Sequence, residues 1–348
     1  MPKVSIIIPV FNGANYLQEA IDSALQQDYE NLEIIVINDG STDEGKTEAI
    51  AKSYGGRIRY YYKKNGGVAT ALNYGIKVMA GEYFSWLSHD DIYKRNKISS
   101  EIHALETLND KTQVICCGYD VVDANRNFLY TINPVSEYGS EKLKIPLFPV
   151  FRCCINGCGL LIHKSHFERV GVFDEHLPTT QDYDLWFRIL RGKQMFFLEG
   201  SYFYSRSHDE QDSRRLYKTH IDECNALWIR LFNSLSLEEM CTMEQTPYQF
   251  FCAEFLRFRE TDYHDVKIYL KKNILQYSIN LKLDINTIKK HLDDLLDLYE
   301  WEIRNLKQHE ESVIESIQDY REKYESLCNS TCWKITKPLR IFLDMIKR

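Results

Sequence analysis

A mostly parallel α/β sheet with helices on both faces is the fold class predicted for the N-terminal part of this chain, on three observations. Short apolar runs recur along it, stretches with one-face helical spacing separate them, and several runs end in turns carrying Asp, Asn or Gly. Ligands of such sheets bind beyond the carboxyl ends of the strands, so these turns are where a substrate belongs.

The elements follow in order. Val4-Ser5-Ile6-Ile7-Ile8-Pro9-Val10 is a central strand entering a turn at Asn12-Gly13. Ala14 to Gln26 carries Tyr16, Leu17, Ala20, Ile21, Ala24 and Leu25 on one helical face. Glu33 to Ile37 is a second strand, delivering Asn38-Asp39-Gly40-Ser41-Thr42-Asp43, in which the glycine permits a tight turn and Ser41 or Thr42 caps the next helix. Ile58 to Tyr62 is a third strand, and Asn65-Gly66-Gly67 leads into a helix through Val68, Ala71, Leu72, Tyr74, Gly75, Ile76 and Met79. Tyr83 to Leu87 then reads as a buried strand ending in Ser88-His89-Asp90-Asp91. Adjacent carboxylates at a strand end suit a divalent cation shared with a phosphorylated substrate, since Mg²⁺ and Mn²⁺ take oxygen ligands and are often held by one or two carboxylates. Alone, such a pair also describes a solvated turn or a helix cap.

Taken together, Val4 to Asn12, Ile35 to Asp43, Asn65-Gly66-Gly67 to Asn73-Tyr74-Gly75, Gly81-Glu82-Tyr83 and Leu87 to Asp91 strongly resemble the family two glycosyltransferases. The resemblance covers roughly residues 1 to 210 and implies a GT-A (Rossmann-like) nucleotide-sugar-binding domain. It implies that Asp39 hydrogen-bonds a uracil base, that Pro9 lies on the loop lining that base, and that Asp90 and Asp91 bind ribose and Mn²⁺ or Mg²⁺. A carboxylate is a chemically sensible acceptor for a pyrimidine imide N–H. Ser88 stands where many members have a further aspartate, so this chain has one carboxylate fewer, and Asp90 is the expected main cation ligand.

The same resemblance makes Asp182, in Thr179-Thr180-Gln181-Asp182-Tyr183-Asp184-Leu185-Trp186, the catalytic base at the start of a helix. Gln181 replaces the glutamate common in the family, which removes a like charge that would raise the Asp182 pKa. His208, after the last core strand, matches a region that contacts diphosphate or metal, and Arg206 is a candidate for bidentate phosphate binding. Asn156-Gly157-Cys158-Gly159 resembles a loop of the donor-sugar and acceptor pocket, with Gly157 as a lining residue; an ordinary strand entry reads the same way. The implied chemistry is metal-dependent transfer with inversion, from a nucleotide diphosphate donor to a hydroxyl of a glycan, lipid-linked or protein-linked acceptor in bacterial surface glycan synthesis. A UDP-hexose or UDP-N-acetylhexosamine is the expected donor. The alternatives are a dTDP-rhamnose-dependent transferase and a non-catalytic nucleotide-sugar-binding scaffold. A sugar-phosphate nucleotidyltransferase would carry a basic glycine-rich signature near its start, and Phe11-Asn12-Gly13 does not provide one.

Composition narrows the classes further. The net charge of −7 over 348 residues argues against broad nucleic-acid binding. No signal peptide is visible and no run approaches membrane-spanning length, so a cytoplasmic protein, peripheral at the inner face of the membrane, is expected. The ten cysteines are expected to be buried or free thiols, without paired zinc spacing.

The expected organisation is a transferase domain over 1–212, a helical appendage over 213–284, a long coiled-coil-like helix over 285–330 and a basic amphipathic tail over 331–348. Leu292, Leu295, Tyr299, Ile303, Leu306, Glu310, Val313, Ile317, Tyr320, Tyr324 and Leu327 recur at steps of three and four, a heptad-like seam with one stutter. A helix over these 36 residues would be about 54 Å long, which favours a homodimer over a helix folded back on the transferase. The tail from Cys332 to Arg348 mixes Trp, Phe, Leu and Ile with five cations and one acid, as an interfacial helix on anionic lipid does; docking on its own protein is the alternative.

Overall fold

The computed structural model describes residues 1–208 and 215–329, so the basic tail expected over 331–348 lies outside the described residues. Among the described residues nine strands form one sheet: β1 (Val4–Val10), β2 (Leu32–Asn38), β3 (Arg59–Tyr62), β4 (Tyr83–Trp86), β5 (Ile92–Tyr93), β6 (Val114–Val122), β7 (Phe128–Ile132), β8 (Leu160–His163) and β9 (Met195–Arg206). Their order is β3-β2-β1-β4-β8-β6-β9-β5, with β7 paired to β6. The parallel pattern predicted from the sequence holds across β3, β2, β1 and β4. Beyond β4 the sheet is mixed: β8 runs antiparallel to both β4 and β6, and β9 runs parallel to β6.

β1 is buried throughout because it lies between two neighbours with helices against the sheet, which is why it reads as an unbroken apolar run. Pro9 is placed inside this strand, opposite Ile37, and not on a loop. The strand tolerates it because β4 pairs only as far as Ile7, so one side of the ladder has already ended where the proline removes a donor.

The chain divides into two compact units, Met1–Leu270 and Lys271–Arg348. The first unit therefore includes the helices Tyr217–Ser234 and Pro247–Phe258 together with the sheet. An aromatic cluster accounts for this: Phe151 packs on Phe187, Trp228, Phe232 and Phe250 with ring centroids 5.5 to 6.2 Å apart. Each such ring buries on the order of 150–250 Å², so the cluster is a core in its own right. Sequence-local devices set the helix starts, with a capping box between Ser236 and Glu239, and Thr246 capping a helix that has Pro247 in its first turn.

In the second unit the long helix predicted by the heptad-like spacing is present as Ile285–Asn329. Leu295 is buried and Lys271 pairs with Asp294 at 2.6 Å, whereas Leu292 and Ile303 are exposed. Among the described residues no helix is long and apolar enough to cross a membrane. The cysteines Cys116, Cys117, Cys153, Cys154, Cys158, Cys224, Cys241 and Cys252 are free thiols.

Candidate active site

Three groups of side chains gather at strand ends. The first surrounds Asp39, which follows β2 and is 3% exposed. Its carboxylate accepts the N–H of Gly67 at 2.7 Å, that of Gly66 at 3.1 Å, and the Lys63 ammonium. Lys63 also reaches Thr70 Oγ1 at 2.7 Å, so one acid and one base hold the Asn65-Gly66-Gly67 loop against the end of β2. Gly40 is required here: its φ of +73° is left-handed, and a Cβ would lie 2.5 Å from the Asn65 amide nitrogen. The Asn12 turn joins the same edge, since the Thr42 N–H donates to Asn12 Oδ1 at 2.7 Å.

The second group is the acidic turn after β4. Asp90 and Asp91 are adjacent in sequence and turn to different partners. Asp91 is 6% exposed and turns inward to accept the Arg206 N–H at 2.9 Å. Asp90 faces His208, whose Nε2 lies 2.9 Å from Asp90 Oδ2. Burial works to raise the Asp90 carboxyl, but the His208 hydrogen bond and the His89 charge outweigh it and hold it below the usual carboxylate range. Burial, then the Asp90 charge, pushes Asp91 upward. Among the described residues no three His, Cys, Asp or Glu side chains gather in a metal-binding group. Asp90 with His208 is nonetheless a fitting donor pair for a cation that completes its shell from substrate phosphates and water.

Arg206 is in this group in a different way from the bidentate phosphate contact expected of it. It is 2% exposed, and its guanidinium donates to Asp90 O at 3.0 Å, Ala124 O at 2.7 Å and Glu19 Oε2 at 3.0 Å. As the last residue of β9, where it stacks over the Tyr16 ring, it braces the acidic turn from beneath.

The third group lines a pocket of 310 Å³ formed by Trp86, Ser88, Tyr119, Cys153, Ile155, Asn156, Gly157, Cys158, Asp182 and Tyr183. Ser88 comes from the acidic turn, and Asp182 is the second residue of the helix Gln181–Leu190. The pocket therefore brings the acidic turn and the expected base together. Burial raises the Asp182 carboxyl to about 6, although Gln181 supplies no like charge and the Tyr183 N–H, 2.8 Å from Oδ1, works against the rise. Desolvation raises it without the like charge that Gln181 removes.

Gly157 lines the pocket, but the group that needs the missing Cβ is internal: a Cβ there would lie 2.5 Å from Trp86 Cζ3. Gly157→Ala is accordingly expected to lose about 1–3 kcal/mol of stability, read by urea unfolding, as the Trp86 ring is displaced. Ser88, in the position of the missing aspartate, lies 3.4 Å from the Cys158 thiol, so a hydroxyl and a thiol meet there.

Comparison with known proteins places the chain in a family. The family model described as glycosyl transferase family 2 matches residues 5–171. An uncharacterised glycosyltransferase of Rickettsia typhi is 46% identical over 284 residues, which is 81% of this chain and 85% of that protein. The chain belongs to glycosyltransferase family 2. Another uncharacterised glycosyltransferase, from Rickettsia bellii, is 55% identical over 249 residues, 72% of this chain, and this chain spans only 36% of its length. Among solved structures, S. aureus TarS superposes with a TM-score of 0.55 at 15% identity, over 79% of this chain and 49% of that one, which establishes a shared GT-A fold. Residues 1–349 of TarS in complex with UDP-GlcNAc superpose with a TM-score of 0.50 at 14% identity, over 85% and 81% of the two chains.

Several site residues of this family 2 chain were not legible beforehand. Lys63 lacked a motif, and its role follows from the return of the chain beside β2. Trp86 and Tyr119 read as strand residues, because alternation marks a face without saying that the face ends in a pocket.

Proposed function

We propose that the protein is an inverting, divalent-cation-dependent glycosyltransferase that moves a hexose or N-acetylhexosamine from a uridine diphosphate donor to the hydroxyl of a glycan acceptor. The observation that carries this reading is the pocket lined at once by Ser88 of the acidic turn and by Asp182, with its acidity tuned by burial. The complex of TarS with UDP-GlcNAc supports the choice of donor class.

In this reading the base of the donor rests on the edge held by Asp39 and Lys63, and the diphosphate lies over Asp90 and His208. Those two side chains would hold Mn²⁺ or Mg²⁺, which when bound supplies positive charge against the departing diphosphate. Arg206 holds the turn so that the Asp90 carboxylate keeps its direction. The acceptor sugar sits against Trp86, Tyr119 and Tyr183, whose rings offer apolar faces to its C–H groups. Its hydroxyl oxygen attacks the anomeric carbon from the face opposite the diphosphate and passes its proton to Asp182, while the bond from that carbon to the diphosphate oxygen breaks. One base and one displacement account for inversion without a covalent intermediate.

The test is a panel of nucleotide sugars incubated with the protein and Mn²⁺, with nucleoside diphosphate release measured beside an EDTA control. Release from one UDP-sugar, lost on chelation, supports the reading. Binding of a UDP-sugar with no turnover in the presence of glycan acceptors would favour a scaffold. Asp39→Asn is expected to weaken UDP binding by roughly tenfold in calorimetry, because it removes a charge-assisted anchor of the Asn65-Gly66-Gly67 loop.

A further inference from the structure

The helix that carries Asp182 begins without a cap of its own. Thr180 stands at the capping position of Gln181–Leu190, yet its side chain makes no hydrogen bond to the helix amides. A threonine there ordinarily turns its hydroxyl oxygen onto the N–H two or three residues further on. In this helix those are the amides of Asp182 and Tyr183. The Tyr183 N–H instead donates to Asp182 Oδ1 at 2.8 Å.

Glu223, on the helix Tyr217–Ser234, explains the difference. Its Oε2 accepts the Thr179 N–H at 3.0 Å, the Thr179 hydroxyl at 2.9 Å and the Thr180 hydroxyl at 3.1 Å. Three donors from the two residues before the helix thus converge on one carboxylate oxygen. Thr180 is 3% exposed, so its hydroxyl has few other places to turn. Arg230, two turns along the same helix, reaches Asp184 Oδ1 at 2.7 Å and fixes the two helices in register. Both Asp182 and Glu223 lie beyond the residues 5–171 matched by the family model.

We propose that Glu223 is a positioning residue for the transfer reaction: by holding the Thr179 and Thr180 hydroxyls off the helix N-terminus, it reserves the Tyr183 N–H for Asp182 and keeps that carboxylate facing the pocket. The proposal rests on the reading of Asp182 as the base. Without Glu223, the Thr180 hydroxyl is released to accept the Tyr183 N–H, and Asp182 loses the partner that orients it.

The groups facing Asp182 allow a clean readout. Cys153 stands before the pocket loop, Cys224 and Glu223 are on the neighbouring helix, Tyr183 and Asp184 are on its own, and Arg257 reaches in from Pro247–Phe258. Burial pushes both thiols and the Tyr183 phenol upward, so all three are neutral near pH 6. Asp184 is paired with Arg188 and Arg230, each at 2.7 Å, and Arg257 with Glu254 at 3.2 Å.

The experiment compares wild type, Glu223→Ala, Glu223→Gln and Glu223→Ala combined with Thr180→Val. The Asp182 carboxyl is followed by ¹³C NMR titration of aspartate-labelled protein, its signal assigned by its loss in Asp182→Asn. Release of UDP from UDP-GlcNAc with Mn²⁺, or from the UDP-sugar selected by the panel, gives the kinetics. In Glu223→Ala the Asp182 titration is expected to move up by about half to one pH unit, since a hydrogen bond to the charged form is lost. The kcat is expected to fall by roughly 10- to 100-fold with donor Kd within twofold, as a mispositioned base costs rate and not donor binding. Glu223→Gln, whose amide oxygen accepts the same donors, and the double variant, which lacks the competing hydroxyl, are both expected to return the titration to the wild-type midpoint.

An unmoved midpoint in Glu223→Ala overturns the proposal, as does a double variant that stays shifted. Full activity in Asp182→Asn would instead overturn the base reading, and the titration series distinguishes the two failures.

Discussion

Asp182→Asn is expected to lower the rate of sugar transfer by roughly 10²–10⁴-fold while leaving donor binding within about twofold of wild type. The substitution keeps the shape of the side chain and removes its ability to take a proton. Donor affinity is expected to survive because Asp39 and Lys63 bind each other and the Asn65-Gly66-Gly67 loop, not Asp182. With Asp182 raised to about 6, the wild-type rate is expected to fall as pH drops through that value, because the base is then protonated. The effect on stability runs the other way. Between the ordinary value of 3.8 and about 6, the folded state binds a proton that the unfolded chain has released, so stability falls as pH rises through that window. The asparagine variant escapes this loss and is expected to melt at or above the wild-type temperature at pH 7.5. A variant that loses activity and also melts well below wild type would point to a structural role. Rates measured from pH 5 to 9, with melting followed at the same values, test both parts.

Asp90→Asn carries the other large expected effect, a loss of roughly 10²–10³ in kcat. It removes the carboxylate that faces His208, whereas Asp91, facing the Arg206 N–H, is built into the fold. The two acids should therefore separate by assay. Asp90→Asn is expected to fold normally and to lose Mn²⁺ binding in the presence of UDP, which electron paramagnetic resonance reads without any turnover. Asp91→Asn is expected to show its main effect in thermal stability, since its side chain accepts a buried backbone N–H. His208→Ala is expected to weaken Mn²⁺ by about 10–100-fold, as loss of a ligand partner does. Tight Mn²⁺ binding by Asp90→Asn with UDP present would rule out this carboxylate as the cation ligand.

Much of the site was legible because its parts are local. Asp39 and Asp90 each follow a mostly apolar strand that reads as buried, and a buried parallel strand delivers the residues after it to the ligand edge. Asp182 was legible as an acid at a helix start. Its acidity was not, because the burial that raises it comes from packing that no neighbouring residue announces. The family resemblance put Pro9 on a loop, whereas the apolar run Val4 to Val10 already included it in a strand; the early end of β4 alongside β1 lets the strand continue through it. Arg206 resembled a phosphate ligand by its place near the end of the last strand, and only its burial against Asp90, Ala124 and Glu19 shows what it holds.

The sequence by itself determined the parallel β3-β2-β1-β4 half of the sheet, the turns that carry Asp39 and Asp90, and the helical character of the last third. Each of these follows from periodicity and turn chemistry within a few residues. The tertiary structure decided the mixed order of β8, β6 and β9, the pairing of Asp90 with His208, the seat of the Trp86 ring against Gly157, and the clamp of Glu223 on Thr179 and Thr180. These join residues as much as 118 positions apart. Contacts of that range are set by how elements pack on one another, and a one-dimensional pattern records only which face each element buries.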